Sequence, residues 1–176
     1  MQKQKCVFLD RDGVLNRERG DYTYKLDDFE VLPGVPEALA LLKENGFLLI
    51  VVTNQAGVAK GLYQRKDVLA CHQKLQEASK SLIDAIYYAP HHPDYSESLS
   101  RKPDSLMLER AIARYGIDPA HSWLVGDSLR DLQAAARVGV KAVLVGAQHP
   151  PQTHAWQTAD LWQAAQLILA QTKKPA

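Results

Sequence analysis

Two cysteines in 176 residues leave no basis for a disulfide framework. Cys6 opens an apolar run and Cys71 is far from it in sequence, so both read as reduced, structural thiols of a cytosolic protein. No apolar run approaches the ~20 residues that a membrane-spanning helix requires. The opening segment MQKQKCVFLD has too short an apolar stretch for a signal peptide, so the expectation is a soluble, cytoplasmic protein. Neither sign of charge dominates: 21 Lys and Arg stand against 20 Asp and Glu, a formal net charge of +1, which gives nucleic-acid binding no support. Internal repeats, low-complexity blocks and an interdomain linker are missing too. The length fits one domain, residues 1–176, with residues 172–176 expected as a frayed tail.

What is present is an alternation of short apolar runs with helical periodicity. CVFL (6–9), FLLIVVT (47–53), AIYYA (85–89), SWLVG (122–126) and KAVLVG (141–146) are continuous apolar runs, as in strands buried on both faces of a parallel sheet. Between them, PGVPEALALLKENG carries a first-turn proline and a stop glycine. Val68, His72, Leu75, Ser79 and Leu82 trace one face of a longer helix. DSLMLERAIARYG and DSLRDLQAAARVG both start at Asp-Ser and end at glycine, as capped helices do, and a last helix is expected over 161–172. The pattern predicts an α/β fold: a doubly wound, mostly parallel, Rossmann-like sheet with helices on both faces and no large cap domain. Residues 17–33 and 90–104 are left as long loops, and ligands in such sheets bind outside the carboxyl ends of the strands.

Chemistry-bearing residues gather at those ends. Asp10 and Asp12 follow the first strand, Thr53 and Asn54 end the second, RKP lies in the loop after the third, and GDSLRD continues the fourth. Each has an ordinary explanation alone: aspartates start turns, RKP suits a solvated loop, Asp127 could cap a helix and Asp131 suits a first helical turn. Their joint occurrence, in order and each at a strand end, points instead to phosphoryl transfer through an aspartyl-phosphate. Asp10 would be the nucleophile, and Asp12 would protonate the leaving alkoxide and later deprotonate the attacking water. Thr53 and Lys102 would stabilise the phosphoryl group. Attack by an anion on a phosphate dianion needs a divalent cation. Mg²⁺ suits oxygen ligands from Asp10, Asp127 and the backbone carbonyl of Asp12.

The ordered set DRDG, TN, RKP and GDSLRD resembles the four-part signature of the haloacid dehalogenase-like phosphatases. The stretches FLDRDGVLN, TNQAGVAKG and RKPDSLMLERA look like the subgroup of D-glycero-D-manno-heptose 1,7-bisphosphate phosphatases, with histidinol-phosphate phosphatases as close relatives. The resemblance covers roughly residues 6–146. It implies Mg²⁺ dependence, removal of the C7 phosphate and a place in making the heptose precursor of lipopolysaccharide. It also implies Asp10 as nucleophile, Asp12 as acid/base, Thr53 and Lys102 as phosphoryl stabilisers, Asp127 as metal ligand and Arg101 in substrate recognition. Glu18, Arg19, Gly20 and Asp21, with Asn54 and Gln55, fall at substrate-binding positions.

One departure is informative. Many members carry a zinc loop, C-x-H followed by C-x-C, directly before RKP. Here those positions read APH (89–91) and SLS (98–100), so only His91 remains of four ligands. A structural Zn²⁺ site needs four such ligands, and no zinc is expected. The expected partner is a small sugar phosphate, with no nucleic acid or membrane, and the expected state is a monomer. Two alternatives stay open. One is a histidinol-phosphate or other small sugar phosphatase. The other is a receiver-like signalling domain, which fits less well because its phosphoacceptor follows the third strand and here that strand ends in YYAPHHP.

Overall fold

A computed structural model describes residues 3–172. Six strands form one sheet in the order β3-β2-β1-β4-β5-β6, and every neighbouring pair is parallel. The strands are β1 (Cys6–Leu9), β2 (Leu48–Asn54), β3 (Ala85–Ala89), β4 (Trp123–Gly126), β5 (Lys141–Val145) and β6 (Gln157–Thr158). The helices are α1 (Val35–Glu44), α2 (Arg65–Ala78), α3 (Leu106–Tyr115), α4 (Leu129–Arg137) and α5 (Leu161–Thr172). The expected α/β class is the observed one.

The unbroken apolar runs are explained by the two cores they feed. Val7, Leu9, Leu49 and Val51 point into a cluster with Leu39 and Leu42 of α1, Leu75 of α2 and Ile168 of α5. Their neighbours Cys6, Phe8, Ile50 and Val52 point the other way, onto Leu108 and Ala111 of α3 and Ala134 and Ala135 of α4. A strand with helices on both faces has no solvent side on which to place polar residues.

Three expectations need adjustment. β6 follows no apolar run, and its two residues pair with Leu144 and Val145. The helix expected to carry its face through Leu82 ends at Ala78: Lys80 and Ser81 adopt positive φ of 52° and 58°, which breaks the helical path. Thr172, expected in the tail, is the last residue of α5, while 173–176 lie outside the described residues. The loop over 17–33 holds a short 3-10 turn, Leu26–Asp28, and no larger element.

Candidate active site

From β1 the chain steps to β2 and β3 on one side, then returns to place β4 on the other side of β1. Connections leaving in opposite directions open a crevice at the carboxyl ends of β1 and β4. Asp10 and Asp12 stand after β1 and Asp127 stands after β4. The Asp10 backbone N–H donates to the Val125 carbonyl at 2.9 Å and locks the first acid beside β4. Gly13 has a φ of 81°, and a Cβ there would lie 2.2 Å from Asp127 Oδ2. The glycine of DRDG thus gives both the turn and the room for the second strand end's carboxylate.

Lys102 reaches this crevice from the loop after β3. Its ammonium lies 2.9 Å from Asp10 Oδ1 and 2.6 Å from Asp131 Oδ1, with only 2 % of the residue exposed. Burial opposes its charge, but Asp10 and Asp131 more than reverse that, and its pKa is raised. Asp131 is fully buried. Its other oxygen accepts from the Ser128 backbone N–H at 3.1 Å and hydroxyl at 2.8 Å. Ser128 is therefore the N-cap of α4, and Asp127, one residue earlier, is free to face the crevice. Asn54 fixes the Lys102 backbone from both sides: its Nδ2 donates to the Lys102 carbonyl and its Oδ1 accepts the Lys102 N–H, each at 3.0 Å.

Carboxylates outnumber cations here. Burial and then the Asp131 charge push Asp10 up to about 8 despite Lys102, and burial and Asp131 push Asp127 up to about 6. One carboxylate oxygen from each of Asp10, Asp127 and Asp131 lies within 4.8 Å of the others. An all-oxygen set with excess negative charge fits a hard divalent cation. Asp10 and Asp127 have oxygens turned to this space, whereas both Asp131 oxygens are already engaged.

Asp12 has a different environment. Its carboxylate accepts from Arg11 Nη2 at 2.9 and 3.1 Å, from Asn16 Nδ2 at 2.8 Å and from Gln55 Nε2 at 3.1 Å. Arg11 is wholly buried and also donates to the Thr23 carbonyl at 2.8 Å. Gln55 further donates to Thr53 Oγ1 at 3.0 Å. Two carboxylates two residues apart thus face two environments, one an ammonium and further carboxylates, the other a set of donors.

A cleft of about 460 Å³ takes in these groups. Of the expected substrate positions, Glu18, Gly20, Asp21, Asn54, Gln55 and Arg101 line it. Arg19 does not, and instead pairs with Asp28. Sequence reasoning passed over Arg11, Tyr63 and Arg130. Arg130 lines the cleft with Arg101, whose pKa is lowered by burial and then by Arg130. The spacing of Arg130 within GDSLRD carried a signal, since it sits at the open end of a helix whose cap faces the crevice. At the altered zinc-loop positions, Ser98 and Ser100 share a 2.7 Å hydrogen bond between their hydroxyls, and Arg101 donates to the His91 carbonyl at 3.3 Å.

Comparison with known proteins adds an independent line. Residues 3–139 match the family model of haloacid dehalogenase-like hydrolases. The chain is 42% identical over 147 residues to the D-glycero-beta-D-manno-heptose-1,7-bisphosphate 7-phosphatase of Haemophilus ducreyi, covering 78% of this chain and 80% of that one. It is 41% identical over 166 residues to the enzyme of that name from Escherichia coli, covering 88% and 86%. The crystal structure of the D,D-heptose 1.7-bisphosphate phosphatase from B. bronchiseptica, complexed with magnesium and phosphate, superposes with a TM-score of 0.86 at 35% identity, covering 96% of this chain and 99% of that chain.

Proposed function

The chain belongs to the haloacid dehalogenase-like hydrolases, and within that family we propose that it removes the 7-phosphate of D-glycero-D-manno-heptose 1,7-bisphosphate through an aspartyl-phosphate on Asp10. The observation that carries this reading is the gathering of Asp10, Asp127 and Lys102 at the strand ends, with Asp12 beside them on its own set of donors. Asp10 Oδ attacks phosphorus and the bond from phosphorus to the C7 oxygen breaks, while Asp12 gives its proton to that oxygen. Water then attacks phosphorus, Asp12 takes the water's proton, and the Asp10 carboxylate departs with phosphate released. A divalent cation held by Asp10, Asp127 and the Asp12 carbonyl supplies the positive charge that lets a carboxylate approach a phosphate dianion. Lys102, held by Asp131 and by Asn54, keeps a fixed charge beside the transferring group, and Thr53 offers it a hydroxyl. Ser128 and Asp131 thereby act through Lys102.

Arg101 and Arg130 both line the cleft, close enough for the Arg130 charge to lower the Arg101 pKa. A second phosphate is the substrate feature that rewards two neighbouring guanidinium groups, and this favours a bisphosphate over a simple monoester. We assign the loop over 90–100 no zinc, because Ala89 has no ligand atom and serine hydroxyls are poor substitutes for thiolates. The reading also takes the chain as a single-domain, monomeric, cytoplasmic enzyme of lipopolysaccharide heptose synthesis, with no nucleic-acid or membrane partner. Among the described residues no helix is long and apolar enough to cross a membrane. The test is a steady-state comparison of heptose 1,7-bisphosphate, histidinol phosphate and fructose 1,6-bisphosphate with Mg²⁺. A large lead in kcat/KM for the heptose is expected. A lead for histidinol phosphate would move the assignment to that relative.

A further inference from the structure

We propose that Tyr63 is a positioning residue for Asp12, acting through the side-chain amide of Gln55. The proposal rests on the reading of Asp12 as the acid/base. Gln55 is buried, and both hydrogens of its Nε2 are spent, one on Asp12 Oδ2 at 3.1 Å and one on Thr53 Oγ1 at 3.0 Å. A primary amide has a donor end and an acceptor end of nearly the same shape, and a half-turn exchanges them. Facing Asp12 with the wrong end would set a carbonyl oxygen against a carboxylate. The Tyr63 hydroxyl decides the matter, because it donates to Gln55 Oε1 at 2.9 Å and so pins the oxygen on the far side.

Tyr63 is itself held. Its ring packs so closely on residue 57 that a Cβ there would lie 2.0 Å from Tyr63 Cε1, which only glycine avoids. The ring also stacks on Tyr24, with ring centres 4.9 Å apart and planes 12° from parallel. Burial pushes the Tyr63 hydroxyl up to about 12, which keeps it a neutral donor. Tyr24 belongs to the loop over 17–33 that also supplies Glu18, Gly20 and Asp21 to the cleft, so the same stack ties that loop to the acid.

Tyr63→Phe keeps the ring and its stacking and removes only the hydroxyl. Gln55→Met keeps the length and removes both donors. The discriminating readout is kcat/KM on phenyl phosphate and p-nitrophenyl phosphate, two substrates of like shape. Phenolate needs the proton from Asp12 far more than p-nitrophenolate does, and kcat/KM reports the steps up to leaving-group departure. Asp12→Asn, run alongside, defines the full split between the substrates. Tyr63→Phe is expected to lower kcat/KM about tenfold on phenyl phosphate and less than about twofold on p-nitrophenyl phosphate, a fraction of the ~10²–10⁴ available from general acid catalysis. Gln55→Met is expected to give a wider split in the same direction. If Asp12→Asn splits the two substrates but Tyr63→Phe and Gln55→Met lower both equally, Tyr63 merely packs the loop and the proposal is overturned. If Asp12→Asn gives no split, the acid role itself falls and takes this proposal with it.

Discussion

Replacing Lys102 by methionine removes a charge from a place where it has two partners and almost no water. The ammonium is 2.9 Å from Asp10 and 2.6 Å from Asp131, and the residue is 2 % exposed. Breaking a buried pair by deleting one member costs about 3–5 kcal/mol, because the other charge stays buried alone. Two features place this site at the low end. Burial and the Asp131 charge push Asp10 upward even with Lys102 present, so its charge is the less costly of the two to strand. Asp131 keeps the two donors of Ser128. At roughly 2–4 °C per kcal/mol for a chain of this size, a cost of about 3 kcal/mol lowers Tm by about 6–12 °C. Activity should respond differently: kcat and kcat/KM fall together by about 10²–10³-fold, as for a lost transition-state stabiliser. The double variant Lys102→Met/Asp131→Asn separates the effects, since removing the stranded charge should restore at least half of the lost Tm and none of the lost kcat. Thermal melts of the metal-free proteins and Mg²⁺-saturated kinetics read the two. A kcat within tenfold of wild type, or a double variant no more stable than the single, would refute the assignment of Lys102.

Asp12→Asn should cripple turnover while retaining part of the Mg²⁺ affinity by calorimetry, because the backbone carbonyl is untouched; complete loss of Mg²⁺ binding would contradict the carbonyl assignment. Arg101→Ala and Arg130→Ala should raise KM for the bisphosphate several-fold more than for p-nitrophenyl phosphate, which has no remote group, and equal effects on both would remove the second-phosphate reading. The folded-state values of about 8 for Asp10 and about 6 for Asp127 exceed the ~3.9 of an unfolded aspartate, so the folded metal-free protein holds extra protons between those limits. Its stability should therefore fall as pH rises from about 4 to about 8, and the Tm gain from Mg²⁺ should grow over the same window as protons leave the ligands; a gain independent of pH would exclude these carboxylates as ligands. Elemental analysis of protein purified without a metal-affinity tag should find far less than one zinc per chain, and a stoichiometric content would reverse the reading of residues 89–100.

The parts of the fold legible in the sequence are those where helices on both faces of the sheet call for an unbroken apolar run, the half-buried edge strand β3 included. β1 and β3 match their expected limits, and β2, β4 and β5 differ only at their ends. β6 was invisible because an edge strand of two residues is made by its neighbour, not by its own composition. The end of α2 was misjudged because Ser79 and Leu82 fit the helical period, while the turn through Lys80 and Ser81 that breaks it leaves no glycine or proline to mark it. At the site, strand-end position brought Asp10, Asp12, Thr53, Lys102 and Asp127 together in advance. Whether Asp131 also faces cation space was not legible, since this depends on side chains such as Ser128 engaging it. Arg19 shows the limit of motif adjacency: it sits between cleft residues Glu18 and Gly20, yet turns outward to Asp28. Gln55 and Tyr63 are eight residues apart across a loop, and only the fold joins them.

The central claim, that Asp10 carries the phosphoryl group, is tested most directly by trapping the intermediate. Protein mixed with Mg²⁺ and heptose 1,7-bisphosphate is quenched within a turnover and treated with borohydride, which reduces an aspartyl-phosphate to homoserine, and the peptides are then weighed. Homoserine at position 10 is expected. An unmodified Asp10 during rapid turnover, or homoserine at another aspartate, would contradict the claim.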